Sequence, residues 1–314
     1  MLLKKTVWLG LVCVSVSVLF GCNNNGAAKK ISLEKREVTQ LRAEERKEKP
    51  LRIAAGGMIT PREGFVYYRE FIDYVGGKLD RPVEFVDREK YDEINMLMKS
   101  GQVDVAFVCS GPYVDGHDEF GMELLAAPQA YQKTVYYAYI IVAKESPITS
   151  FKALRGKTFA FADPLSNTGK IVPEYMLSKM NETPESFFKK YIYTYAHDKS
   201  VKAVAQGVVD GASVDSLIWE YTNRIHPELT SKTEIIEKSP PYAIPPVAVR
   251  KGLDPALKKE LRAVFLNAHR DERGKELLDK MMVDKFIVID DSAYDSVREM
   301  KSWISRHKGR EKTR

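Results

Sequence analysis

The chain is short of cysteine, long apolar runs and clustered charge, and each shortage removes a class of function. Three of its 314 residues are cysteine, Cys13, Cys22 and Cys109, too few for a scaffold held together by disulfides. No C-x-x-C, no H-E-x-x-H and no carboxylate cluster with metal spacing occurs, so neither a metal nor a cofactor is expected. Walker loops and G-x-S-x-G elbows are also missing. The apolar stretch 7–20 is too short to span a bilayer comfortably and no stop-transfer pattern follows it. Basic residues are scattered along helices rather than interleaved with aromatics, which leaves no nucleic-acid footprint.

What is present begins with an export signal: Lys4 and Lys5, an apolar core 7–20, then Leu19-Phe20-Gly21-Cys22. That ending resembles a bacterial lipobox. The resemblance implies cleavage before Cys22 and a diacylglycerol on its sulfur, an anchor that does not span the membrane. Cys13 then leaves with the signal and Cys22 is taken by lipid, so Cys109 has no partner for an intramolecular disulfide. The net charge of +6 falls to +4, because residues 1–21 hold two lysines and no acid; the bias toward anions or a membrane surface is weak. Residues 22–50, Asn-rich and then dense in Lys, Arg and Glu, read as a lipidated tether that cannot bury enough apolar surface to order itself.

From Leu51 the pattern alternates. Strands are expected at 51–55, 82–86 and 103–108, with helices at about 62–75 and 91–100, and a long apolar strand at 136–143. A second series places strands at 158–162, 191–195 and 212–214 between helices at 169–180, 200–207 and 217–223. The proline-rich segment 239–246 marks a crossing or hinge. A strand at 247–250 and a helical remainder follow, with Asp254-Pro255 capping 256–268 and a basic tail at 301–314, frayed from Arg306. Two alternating series predict an α/β protein of two lobes with mixed, mostly parallel sheets and a ligand cleft between them: 51–137 with 244–300, and 138–243.

In open α/β sheets ligands sit beyond the carboxyl ends of the strands, so the residues there are the candidates. After the first strand, Gly56-Gly57-Met58-Ile59-Thr60-Pro61-Arg62-Glu63 carries a capping box and glycines that permit close backbone approach. After 158–162 comes Asp163-Pro164-Leu165-Ser166-Asn167-Thr168-Gly169, where two hydroxyls, an amide and a glycine precede a helix. A polar helix-capping turn reads equally well from that segment alone. His197 follows the next strand and could donate to an oxyanion, although a lone histidine is more often structural. Asp215 could accept from a P–OH, orient His197 or simply cap its helix. Ser110 and Tyr113 follow 103–108 beside Cys109, which is either a small buried residue or a thiol facing the cleft. Ser166, His197 and Asp215 could be named as a triad, but without a nucleophile elbow catalysis is not expected.

Taken in order, Asp163–Gly169, Ala196-His197-Asp198-Lys199-Ser200 and Val209-Asp210-Gly211-Ala212-Ser213-Val214-Asp215-Ser216 resemble the phosphate/phosphite/phosphonate-binding family of transporter solute-binding proteins. Gly101–Phe107 and Ser239-Pro240-Pro241-Tyr242 with Pro245-Pro246-Val247 support it, over roughly 50–295. The resemblance implies a type II periplasmic-binding fold that closes on a small oxyanion. It carries ligand contacts onto Ser166, Thr168, His197 and Asp215, with Tyr113 and the Met58–Ile59–Thr60 turn from the first lobe; Ser110, Asn167 and Gly169 join the candidates by their place after strands. The family turn has Ser or Thr in its first two places, whereas here the second is Asn167. The expected partners are a small phosphorus oxyanion, an ABC permease and a membrane reached through lipid, for a monomeric protein outside the cytoplasm. A different class remains open: an oxyanion sensor for a membrane histidine kinase, with Cys109 as an arsenite ligand.

Overall fold

The computed structural model describes residues 49–56 and 65–311; the signal, Cys22, residues 22–48 of the tether and the Met58–Thr60 turn lie outside them. The first series is β1 (Leu51–Ala55), α1 (Phe65–Lys78), β2 (Val83–Asp87), α2 (Tyr91–Lys99), β3 (Val105–Phe107), α3 (Ser110–Phe120) and β4 (Glu123–Gln129). The second runs β5 (Val135–Tyr136), β6 (Ala138–Ala143), β7 (Thr158–Phe161), α4 (Val172–Lys179), β8 (Lys190–Tyr193), α5 (His197–Ala205), β9 (Gly211–Asp215), α6 (Ser216–Ile225) and β10 (Thr233–Lys238). The chain then returns through β11 (Tyr242–Ala243), β12 (Val247–Val249), α7 (Pro255–Asn267), α8 (Glu272–Lys280), β13 (Lys285–Ile287) and α9 (Asp295–Glu311).

Two sheets result. One has the order β13-β4-β12-β3-β1-β2, the other β10-β6-β9-β7-β8. Among the described residues, parallel pairing is confined to β2-β1-β3 and β8-β7-β9, where a covering helix makes each crossover. The pairings of β12, β4, β13, β6 and β10 are antiparallel, so the sheets are mixed rather than mostly parallel. β6 and β12 arrive straight from the other sheet, with no covering helix before them, and can pair in the opposite sense. A separate ribbon of β5 and β11 pairs Tyr136 with Tyr242 and Val135 with Ala243 where the chain crosses between the sheets. The proline-rich segment 239–246 is this return crossing.

Each sheet owns an aromatic core. Against the first, α1 buries Tyr68, Phe71, Ile72 and Val75, a stripe at i, i+3, i+4 and i+7. Phe71 meets Phe265 at 5.5 Å and Phe286 at 5.6 Å between ring centroids; burying one such ring contributes about 1.5–3 kcal/mol. Against the second, Phe159 stacks on Phe188 at 4.4 Å and Phe151 on Phe187 at 5.6 Å. Asp254 caps α7, accepting from the N–H groups of Ala256 and Leu257.

Five segments depart from the sequence reading. α3 forms at 110–120, where two glycines and a proline conceal it, because burial of Tyr113 and Val114 compensates for weak propensity. β4 and β10 lie in stretches for which the sequence pattern predicts no element, and β13 stands in a stretch predicted as helix. The segment 301–311, read as part of the basic tail, continues α9: Trp303 lies 6.1 Å from the Tyr175 ring and takes the Lys179 ammonium 3.5 Å above its face. A helix springing from the first sheet is thereby seated on α4 of the second.

Candidate ligand site

The carboxyl ends of β3, β7 and β9 and the crossing ribbon converge on one polar spot. β7 leads into a turn in which Asp163 Oδ1 accepts from Leu165 N–H at 2.8 Å. Its Oδ2 accepts from Tyr91 N–H at 3.2 Å, so a residue of the second series caps α2 of the first. Burial above all raises the Asp163 carboxyl from its usual range. Next, Ser166 opens a wide π-helical turn, Asn167–Ile171, that runs directly into α4; its Oγ accepts from Gly169 N–H at 3.0 Å.

His197 is the first residue of α5 and stands 3.3 Å by Nε2 from Ser166 Oγ. The backbone N–H of Asp215 donates to His197 Nδ1 at 3.0 Å. That contact fixes the tautomer: Nδ1 is bare, and the proton sits on Nε2, facing Ser166. Burial drives the imidazole pKa down to about 3, so it is a neutral donor. Only glycine fits at 169, where a Cβ would stand 2.5 Å from that of Ala162 and 2.9 Å from His197 Cε1.

Asp215 ends β9 and caps α6, its Oδ1 accepting from Leu217 N–H at 2.7 Å. Burial pushes its pKa up to about 8, against the pull of the Leu217 and Ile218 N–H groups. At neutral pH it is mostly an uncharged acid, which removes the repulsion that a carboxylate would offer an anion. Lys170, beside the turn, is paired with Glu174 at 2.6 Å. The donors of the spot are therefore neutral.

From the first series, the start of α3 presses on this turn: a Cβ on Gly111 would stand 2.1 Å from the Leu165 carbonyl oxygen. Ser110 Oγ donates to the Ala243 carbonyl of the ribbon at 2.9 Å, Tyr136 O–H donates to Ser110 Oγ at 3.2 Å, and Asn167 Nδ2 donates to Tyr136 at 3.0 Å. Cys109 is buried beside them, 3.9 Å from the Tyr136 hydroxyl. Burial raises its thiol to about 11, although the N–H groups of Asn167 and Gly111 pull it the other way.

Of six buried side-chain polar atoms left without a hydrogen bond among the described residues, three belong to this region. Asn167 Oδ1, Thr168 Oγ1 and the Tyr68 hydroxyl, on side chains no more than 3% exposed, have no partner among the described residues. Such orphans are unusual in a folded protein and point to an absent occupant. The structure thus brings together Ser166, Asn167, Thr168, Gly169, His197, Asp215, Ser110 and Cys109. It does not bring in the Tyr113 hydroxyl, which donates to Asp291 Oδ1 at 2.7 Å, drawn away by the Asp291–Arg298 pair. Met58, Ile59 and Thr60 lie outside the described residues.

Sequence reasoning missed Tyr68 and Tyr136. Burial raises both hydroxyls, with the Asp215 charge a smaller cause for each, after Tyr221 for Tyr68 and after Cys109 for Tyr136. Tyr68 lies on the i, i+3, i+4, i+7 stripe of α1, which marks it in the sequence for burial and not for the site. Nothing in the sequence marks Tyr136 as more than a strand residue.

A family model described as an ABC transporter phosphonate periplasmic substrate-binding protein matches residues 58–294. A probable ABC transporter phosphite-binding protein of Prochlorococcus marinus is 26% identical over 161 residues, 49% of this chain and 54% of that one. Its solved structure with methylphosphonate superposes with a TM-score of 0.75 at 20% identity, over 82% of this chain and 98% of that one. The phosphonates-binding periplasmic protein of Escherichia coli is 26% identical over 216 residues, 67% of this chain and 64% of that one. The matches thus span roughly half to just under two thirds of these two curated relatives. A binding-protein component of an ABC phosphonate transporter from Pseudomonas aeruginosa shares the fold, with a TM-score of 0.78 and 23% identity over 83% of this chain and 88% of that one. With three quarters of its length matched, the chain belongs to the family of periplasmic substrate-binding proteins of phosphonate ABC transporters.

Proposed function

We propose that the protein captures a small phosphorus oxyanion (a phosphonate, phosphite or phosphate) between its two halves and hands it to an ABC permease. The carrying observation is a buried, uncharged donor set with orphaned partners: His197 Nε2–H, the Ser166 and Thr168 hydroxyls and the Tyr68 hydroxyl around a protonated Asp215. Hydrogen bonds to a charged ligand contribute about 1.5–3 kcal/mol each, so four to six of them reach micromolar affinity or better after the cost of closure. The halves are lobes 51–137 with 244–300 and 138–243, closing on the ligand in a monomer. Leu19–Cys22 supports a lipid anchor at Cys22 on the outer side of the cytoplasmic membrane or beyond.

Hydrolysis is disfavoured by the wiring of Ser166, His197 and Asp215. In a catalytic triad the carboxylate holds the Nδ1 proton and Nε2 is bare to accept from serine. Here Nδ1 accepts from a backbone N–H, Nε2 carries the proton, and the Asp215 carboxyl caps a helix instead. The sensing alternative, with arsenite on Cys109, is disfavoured by a lone thiol that burial keeps protonated.

A thermal-shift and calorimetric screen of the purified protein against phosphate, phosphite, methylphosphonate, 2-aminoethylphosphonate, sulfate and arsenite tests this. A saturable rise in Tm with a phosphorus oxyanion is expected, growing with concentration over Kd. Response to none of them overturns the ligand class, and response to arsenite alone, lost in Cys109→Ser, replaces transport by sensing. For the anchor, Cys22→Ser should move the protein from the membrane fraction to the soluble one.

A further inference from the structure

The orientation of the Asn167 amide is dictated by a chain of hydrogen bonds that starts at a group unable to donate. The Ala243 carbonyl can only accept, so Ser110 must give it its hydroxyl proton. With that proton committed, the contact between Ser110 and Tyr136 requires Tyr136 to donate. Tyr136 then has only lone pairs to offer Asn167, which must present Nδ2. The far side of the amide, Oδ1, is left as a buried acceptor with no donor among the described residues. It belongs to the same turn as Ser166 and the unpartnered Thr168 hydroxyl.

We propose that Asn167 Oδ1 is a specificity determinant that accepts a hydrogen bond from a protonated ligand oxygen, so that the site selects oxyanions carrying a P–OH and rejects isosteres that lack the proton. This rests on the phosphorus-oxyanion reading and refines it to a protonation state. Serine or threonine at this position could turn its proton toward a bare oxygen, whereas the amide oxygen in this setting cannot. Tyr136 is a positioning residue: it does not meet the ligand but denies the amide its flipped orientation. The other titratable groups around the turn are Asp163, Lys170, Cys109, His197 and Asp215. None of them supplies the missing donor, because Asn167 Oδ1 has no hydrogen-bond partner among the described residues: Lys170 is paired with Glu174, Asp163 accepts from Leu165 and Tyr91 N–H, Cys109 lies against the Tyr136 hydroxyl, His197 faces Ser166 and Asp215 Oδ1 caps Leu217 N–H.

The test uses two ligands of equal charge and nearly equal shape. In mildly acidic buffer methylphosphonate is a monoanion with one P–OH; methanesulfonate is a monoanion with none. Titration calorimetry of the full chain should show methylphosphonate bound at least about a hundredfold more tightly, since a site built around a ligand hydroxyl strongly rejects the analogue without it. Asn167→Thr and Tyr136→Phe should each narrow that ratio about tenfold or more while methylphosphonate still binds, the second variant by freeing the amide to rotate. Unchanged ratios in both variants, or wild-type protein that binds the two anions equally, would overturn the role of Asn167 and leave the oxyanion reading standing. Failure of the wild-type protein to bind any phosphorus oxyanion overturns both.

Discussion

His197 and Asp215 carry opposed proton linkages, and separating them is a quantitative check on the site. Burial lowers the His197 pKa from 6.5 to about 3, so the stability tied to its neutral form is present above 6.5 and is lost as pH falls toward about 3. Burial raises the Asp215 pKa from 3.8 to about 8, so the stability tied to its protonated form is present below 3.8 and is lost as pH rises toward about 8. Between about pH 4 and 6.5 the unfolded chain holds a proton on the histidine that the folded chain lacks, and the folded chain holds one on the aspartate that the unfolded chain lacks. The counts match, and the pair contributes almost no pH dependence in that window. In His197→Gln only the aspartate remains, and stability should rise on acidification by about 1.4 kcal/mol per pH unit. In Asp215→Asn, which keeps the helix cap, stability should fall at the same rate. Over about two pH units the variants should diverge from wild type in opposite directions by roughly 3 kcal/mol each. Urea unfolding of the ligand-free proteins, followed by tryptophan fluorescence at several pH values, reads these differences; the remaining carboxylates give all three proteins the same background. Three parallel curves would refute the assignment of both protonation states.

Ser166→Ala should weaken oxyanion binding about ten- to a hundredfold, the loss of one hydrogen bond to a charged group, with the fold intact by circular dichroism. Gly111→Ala sets a Cβ against the Leu165 carbonyl and should hold the halves apart; calorimetry should show affinity lowered about tenfold or more, and unchanged affinity would mean that this contact is not made in the bound state. Asp163→Ala leaves Tyr91 N–H uncapped and should destabilise the protein by about 1 kcal/mol in denaturant titration. Cys109, buried and with its thiol raised to about 11, should resist iodoacetamide at neutral pH and react fully in urea; rapid labelling of the native protein would contradict its burial.

The sheets were legible where the physics is local. Leu51–Ala55 and Val105–Phe107 are near-continuous apolar runs because parallel strands are covered on both faces, and α2 gives way to Gly101 in the left-handed region, φ +72°. Ser166, His197 and Asp215 could be found because each follows a strand. What stayed hidden depends on distant partners. The tyrosine at 113 looks like any donor after a strand, and its direction is set by Asp291, 178 residues away. β13 is three residues long and pairs only with β4, so it is too short for periodicity to reveal. Tyr136 and Ala243 acquire their roles only where two crossings of the chain lie side by side.

The seating of α9 bears on how long a ligand is held. Any motion that parts the two sheets must carry this helix with one of them and strip Lys179 and Tyr175 from the face of Trp303. Lys179 is exposed, and an exposed cation over an indole is worth about 0.5–1 kcal/mol, which converts to a dwell time in the closed state longer by about two- to fivefold. Under the proposed closure, the helix would lengthen the hold on a ligand through a contact far from the chemistry of the ligand itself.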